Sequence, residues 1–295
     1  MIDNTVHELG ASALNLTNIS DIKTLLGRHG FHFSKSMGQN FLIQDWVPRD
    51  IADSAELDRS CAVLEIGPGI GPLTCQLAQR AGKVAAIELD RSLLPILAET
   101  LAEFDNVEII PGDVMKLDVS ALTEEKFPGM PVKVCANLPY NITTPVLTKL
   151  LEAGCFRSIT VMIQREVAHR ICAAPGTADY GAFSVFCQYY ANCSLLFDVP
   201  PECFIPAPKV TSTVIQLAPR SAPPVDADPD ALFRVVKAAF AQRRKTLLNG
   251  LTSAYGSRFS KEELRQIIVD SGLPETVRGE RLGLEEFSLL AKKLQ

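Results

Sequence analysis

The chain has 295 residues, a net charge of −5, 47% hydrophobic and 21% charged residues. That length suits one main domain with a smaller companion, and the composition is that of an ordinary globular chain able to bury a sizeable core. No run of about 18 apolar residues occurs, which excludes a membrane-spanning helix, and the acidic balance excludes a uniformly basic surface, so any nucleic-acid contact must be local.

Residues 1–19 are weakly patterned, and their start lacks the basic and apolar runs of a secretory signal or transit peptide. Residues 21–29 read as a helix with Ser20 as N-cap, 33–45 as a loop and 43–55 as a second helix. A strand–helix rhythm then begins. Strands are expected at 61–66, 83–88, 107–110, 132–136 and 158–164, and helices at 73–80, 92–103, 144–153 and 165–172. Two last strands, 195–199 and 211–217, are joined by "PPECFIPAPK" and form an antiparallel pair at one sheet edge. Alternating strands and helices imply an α/β fold with a mostly parallel, doubly wound sheet. The Pro- and Asp-rich stretch 219–230 reads as a linker, and 231–295 as a small α-helical domain. The expected organisation is thus an extension (1–20), a catalytic domain (21–218), a linker (219–230) and a helical domain (231–295).

The eight cysteines form no CxxC pair, and the four histidines show no ligand spacing. Free thiols in a reducing cytoplasm and no metal site are expected.

The chemistry concentrates at strand ends. "LEIGPGIGPLT" (64–74) closes the first strand and opens a helix, with Glu65, Gly67, Gly69 and Gly71 at alternate positions. Glycines there admit a ligand close to the backbone. The spacing is not the G-x-G-x-x-G of dinucleotide sites. Glu88 ends the second strand, where an acid accepts hydrogen bonds from ribose hydroxyls. Asp113 follows the third, where a carboxylate accepts from an adenine amine. With no pyrophosphate-binding feature, these positions fit an adenosine carrying an amino-acid tail, S-adenosylmethionine. "NLPY" (137–140) ends the fourth strand on the same rim. The Asn137 side-chain oxygen and the Leu138 carbonyl suit the N–H bonds of a nucleobase amine, whose delocalised lone pair makes it a poor nucleophile. Pro139 fixes the turn without an N–H. Tyr140 offers a face on which an extruded base stacks. Positioning and electrostatics then carry the reaction, without a strong base.

"SMGQNFL", "EIGPGIGPLT", "IELD", "GD", "NLPYNI", "FIPAPKVTSTV" and "FAQRRKTLLNGL" occur in this order. In them the chain resembles the rRNA adenine N6-dimethyltransferase family, in its small-subunit (KsgA/RsmA) branch. The resemblance implies a Rossmann-like class I methyltransferase fold with a seven-stranded sheet. It further implies dimethylation of two adjacent adenines near the 3′ end of 16S rRNA. By the family pattern Asn40 and Leu42 close over the cofactor beside Gln39, and Gly67, Glu88, Asp113 and Asn137 contact it. Tyr140 and, by analogy, Phe204 match the aromatics that hold the target base; the alternative for Phe204 is packing under the proline-rich loop. Arg243, Arg244 and Lys245 are expected to meet rRNA phosphates. The implied partner is 16S rRNA within an immature small ribosomal subunit, bound by a cytoplasmic monomer without a membrane. Alternatives are a large-subunit rRNA or DNA adenine methyltransferase, and a non-catalytic ribosome-assembly factor.

Overall fold

The structure, a computed structural model, describes residues 14–33, 38–242 and 244–295. In chain order the first half comprises α1 (Ile19–Arg28), β1 (Phe41–Leu42), α2 (Trp46–Ser54), β2 (Ala62–Ile66), α3 (Pro72–Arg80), β3 (Lys83–Glu88), α4 (Leu94–Thr100), β4 (Val107–Pro111), α5 (Val119–Lys126) and β5 (Val132–Asn137). Then follow α6 (Thr143–Ala153), β6 (Phe156–Gln164), α7 (Arg165–Cys172), α8 (Ala182–Tyr190), β7 (Ala191–Val199), β8 (Phe204–Ile205), β9 (Ser212–Pro219), α9 (Pro229–Phe240), α10 (Leu247–Tyr255), α11 (Lys261–Asp270) and α12 (Leu284–Lys293).

Seven strands form one sheet in the order β4-β3-β2-β5-β6-β9-β7. The first five are mutually parallel, and β9 runs antiparallel to both β6 and β7. β2 is buried along its whole length and β3 everywhere except Lys83, because helices cover both faces of a parallel sheet and only a continuous apolar run satisfies both. The chain runs outward from β2 through β3 to β4, then returns to β5 on the other side of β2. That reversal opens a crevice beyond the carboxyl ends of β2 and β5.

One core packs Leu64, Val134, Leu147 and Ile159 on one face of the sheet, and another packs Val47, Ile51, Leu73 and Cys135 on the other. The helices α9–α12 build a further core around Leu232, Leu251, Phe287 and Leu290. Tyr180, Val185 and Tyr189 belong to that core too, so α8 is packed by the C-terminal helices.

Several local expectations are corrected. Helix α1 starts at Ile19, because Asn18 rather than Ser20 caps it, its Oδ1 accepting from the backbone N–H groups of Ser20 and Asp21 at 2.9 and 3.2 Å. Helix α2 starts at Trp46 rather than Ile43, because residues 41–43 are held in extended pairing. Phe41 and Leu42 pair with Ile205 and Phe204, and the Ile43 N–H donates to the Cys203 carbonyl at 2.9 Å. The sequence reading assigned neither α5 nor α8, and β7 begins four residues earlier than expected. The Cys61 start of the first strand moves to Ala62.

Candidate active site

β2 ends at Ile66 and α3 begins at Pro72, with the glycine loop between them. Gly67 and Gly69 adopt φ of +69° and +62°, a region costly for residues with a Cβ. Space is short as well: a Cβ on Gly69 would lie 3.3 Å from the Phe41 ring. The loop therefore turns tightly while leaving backbone exposed toward the crevice.

Glu88, the last residue of β3, is 6% exposed. Its Oε1 accepts from the Asp90 N–H at 2.8 Å. Burial raises its carboxyl to about 7, against the opposing hydrogen bonds from the Asp90 and Gly69 backbone. Glu65 on β2 is 1% exposed. Burial pushes its carboxyl up to about 8, with the charge of Glu88 adding to the effect and the nearby Thr74 hydroxyl opposing it. Glu65 Oε2 and Thr74 Oγ1 are buried, and although the hydroxyl is near enough to act on the carboxyl, neither atom makes a well-formed hydrogen bond among the described residues. Such orphaned groups are rare in native proteins unless a ligand or solvent satisfies them.

Asp113 follows β4, and its Oδ1 accepts from the Met115 N–H at 2.9 Å. Gln39 donates through Nε2 to Asp90 Oδ2 at 2.7 Å, and Asn40 donates through Nδ2 to the Gly38 carbonyl at 3.0 Å. These bonds tie the loop before β1 to the ends of β3 and to itself.

Asn137 closes β5, in register with Met162 of β6, and the Leu138 N–H donates to the Met162 carbonyl at 3.1 Å. The next turn is held by the Ile142 N–H on the Pro139 carbonyl at 3.2 Å. Tyr140 is half-buried, and its Oη lies 2.7 Å from Ser212 Oγ. Burial raises its phenol, and the Ser212 hydrogen bond counters that shift.

One cavity collects these groups. Gln39, Asn40, Leu42, Gly67, Gly69, Glu88, Asp113, Asn137, Leu138, Pro139 and Tyr140 all line it, together with Glu65, Asp90 and Phe41. Strand ends 72 residues apart in the chain, at Glu65 and Asn137, thus meet across the crevice. Acids and glycines occupy the β2–β4 side, and an amide, a proline and an aromatic ring occupy the β5 side.

Phe204 is not among the lining residues. It is 3% exposed and packs with Leu42, Val47 and Cys203 in the core beside the sheet. Its burial in that core fits the packing alternative rather than a ring open to a base. Arg244 and Lys245 are exposed in the connection from α9 to α10 and lie outside the cavity lining; Arg243 lies outside the described residues. Sequence reasoning placed Glu65 among the alternating positions of the glycine motif but gave it no role, and it passed over Ser212, for which no local signal exists. Among the described residues no helix is long and apolar enough to cross a membrane.

Residues 30–281 match the family model described as ribosomal RNA adenine dimethylase. The chain is 49% identical over 274 residues to a "Ribosomal RNA small subunit methyltransferase A" of Alkaliphilus oremlandii, covering 92% of this chain and 95% of that protein. A Streptococcus pneumoniae protein of the same name is 46% identical over 286 residues, covering 96% and 99%. Among solved structures, a dimethyladenosine transferase from Plasmodium falciparum superposes with a TM-score of 0.71 at 25% identity, covering 84% of this chain and 95% of that one. The 23S rRNA methyltransferase ErmE superposes with a TM-score of 0.65 at 26% identity, covering 86% and 99%.

Proposed function

Because the chain belongs to the ribosomal RNA adenine dimethylase family, we propose that it dimethylates the N6 amines of two adjacent adenines near the 3′ end of 16S rRNA. The fold is that of class I S-adenosylmethionine-dependent methyltransferases. The observation that carries the reading is the convergence of Glu88, Asp113 and the glycine loop with Asn137–Tyr140 on one cavity.

The residues present fit S-adenosylmethionine. The left-handed glycines leave room for close approach, and Glu65 Oε2 is a buried polar atom without a hydrogen-bond partner in the cavity wall. When bound, the cofactor supplies an electrophilic methyl group on a positively charged sulfur. Glu88 serves as acceptor for ribose hydroxyls and Asp113 as acceptor for the adenine amine of the cofactor. Gln39, Asn40 and Leu42 cover it from the β1 side.

For the substrate, the Asn137 side-chain oxygen and the Leu138 carbonyl accept from the target amine. Accepting both N–H bonds favours a pyramidal nitrogen, whose lone pair is then free to point at the methyl donor. Pro139 keeps a competing N–H out of this turn. Tyr140 stacks on the extruded base. Tyr140 takes this role without Phe204, whose burial supports a packing role instead. The gain is one of orientation and electrostatics, with no side chain acting as a strong base.

Arg244 and Lys245, together with Arg243, are the groups we assign to rRNA phosphates, which position the enzyme while folded RNA shape provides selectivity. The acceptor is 16S rRNA in an immature small subunit, met in the cytoplasm by a monomer, and docking there also monitors assembly. The two relatives quoted at 46–49% identity carry small-subunit names, which favours this reading over a large-subunit or DNA substrate.

The test is incubation with unmethylated small subunits and methyl-labelled cofactor, followed by mapping of modified nucleosides. Dimethyladenosine at two adjacent positions near the 16S 3′ end is expected. Label in large-subunit RNA or DNA instead would overturn the assignment.

A further inference from the structure

Tyr140 reaches across the sheet to a strand that contributes nothing else to the cavity. Its hydroxyl lies 2.7 Å from the Oγ of Ser212, the first residue of β9. Ser212 is fully buried and does not line the cavity. It is held in register with Gln164 of β6 and with Val199 of β7, at the rim end of both antiparallel pairs. Its neighbour Thr213 points to the opposite face, donating through Oγ1 to Asp198 Oδ1 at 2.6 Å. The strand alternation thus assigns Ser212 to Tyr140 and Thr213 to the other side.

We infer that Ser212 is a positioning residue for methyl transfer: its hydroxyl tethers the far end of Tyr140 so that the ring stays at the cavity wall where the target base stacks.

The geometry of a phenol explains why one hydrogen bond suffices. Cβ and Oη both lie on the long axis of the ring. The Cβ end is fixed by the turn, where the Leu138 N–H binds Met162 and the Ile142 N–H binds Pro139. The Oη end is fixed by a serine that two neighbouring strands immobilise. With both poles held, the axis cannot swing. Without the tether, rotation about the first side-chain torsion moves the ring by a full staggered step, which removes the stacking surface. A hydroxyl at position 212 is required for this, whereas packing alone would accept alanine.

The inference rests on the reading of Tyr140 as the base-stacking ring, and its test separates the two. Three variants, Ser212→Ala, Tyr140→Phe and the double variant, are compared in methyl transfer to unmethylated small subunits. Each single variant should lower kcat about tenfold while leaving cofactor affinity, measured by calorimetry, within about twofold. The double variant should be no slower than either single one, because each removes the same bond. An unchanged kcat in Ser212→Ala, or losses that multiply in the double variant, would overturn the tether. Should Ser212→Ala fold poorly, Ser212→Cys keeps the volume with a weaker hydrogen bond and carries the same comparison.

A second readout does not depend on activity. In protein labelled with 3-fluorotyrosine, the Tyr140 fluorine resonance is identified by its loss in Tyr140→Phe. It should move or broaden in Ser212→Ala, and an unmoved resonance would reject the tether. If the wild-type protein transfers no methyl group while this resonance moves, the functional reading fails and the tether stands.

Discussion

Glu65 and Glu88 project from the same face of neighbouring strands: Glu65 is in register with Ala86, two residues short of Glu88. Both are buried, and burial raises their carboxyls to about 8 and about 7, from an ordinary 4.5. Between about pH 4.5 and these raised values, the folded chain keeps a proton on each that the unfolded chain has released. The stability they contribute is fully present below about pH 4.5 and is lost as pH rises through about 7 and about 8. The midpoint of thermal unfolding should therefore fall by several degrees between pH 5 and pH 8.5, at about 2–4 °C per kcal/mol for a chain of this size. Glu65→Gln, which cannot ionise, should flatten that dependence. Parallel curves for the variant and the wild type in scanning calorimetry would refute the assignment of the pH effect to Glu65.

Glu88 is the acceptor assigned to the ribose hydroxyls. Glu88→Ala removes charge-assisted hydrogen bonds worth about 1.5–3 kcal/mol, so cofactor affinity should drop by roughly 10- to 100-fold or more. Methyl transfer should become undetectable at ordinary cofactor concentrations, while binding to immature small subunits persists. Calorimetry and subunit pelleting measure the two arms separately. Loss of both in a folded variant would remove the proposed assembly-monitoring role.

Gly69 combines a φ of +62° with a Cβ site only 3.3 Å from the Phe41 ring. Gly69→Ala should cost about 1–2 kcal/mol of stability from the left-handed backbone alone. It should also push Phe41 away from the loop and weaken cofactor binding. Chemical denaturation reads the first effect and ligand titration the second; a variant as stable as wild type would contradict the strain.

Asn137→Ala removes the acceptor assigned above to the reacting amine. Single-turnover methyl transfer should slow by about 10²–10³-fold, the scale seen for a lost preorganised electrostatic partner. Cofactor affinity should change far less, because Glu88 and Asp113 remain. Equal losses in rate and affinity would make Asn137 a cofactor ligand alone.

Arg244 and Lys245 sit apart from the cavity on an exposed connection. Replacing both with alanine should leave cofactor affinity unchanged and weaken RNA binding across sequences. The slope of log affinity against log salt should shrink by about one for each phosphate that is no longer neutralised. An unchanged slope would place the RNA surface elsewhere.

The amino-acid sequence by itself determined the parallel part of the sheet and the main groups of its carboxyl rim. A strand buried on both faces must be a continuous apolar run, and "AVLEI" and "KVAAIE" announce that locally. Ligand groups in such a sheet follow directly on the strand ends, so Gly67, Glu88, Asp113 and Asn137 could be nominated from position alone, and all four line the one cavity. Only the tertiary structure decided what depends on distant partners. Phe41 and Leu42 are extended because Ile205 and Phe204 pair with them, and packing against Val47 and Cys203 buries Phe204 instead of presenting it. The aromatic run of α8 carries no clear period of its own, and the C-terminal helices that pack on it supply part of its buried face. Tyr140 and Ser212 lie 72 residues apart and meet only because β9 inserts antiparallel between β6 and β7. Local sequence encodes periodicity and turn chemistry, whereas strand order and long-range pairs are selected by the free energy of the whole packed chain.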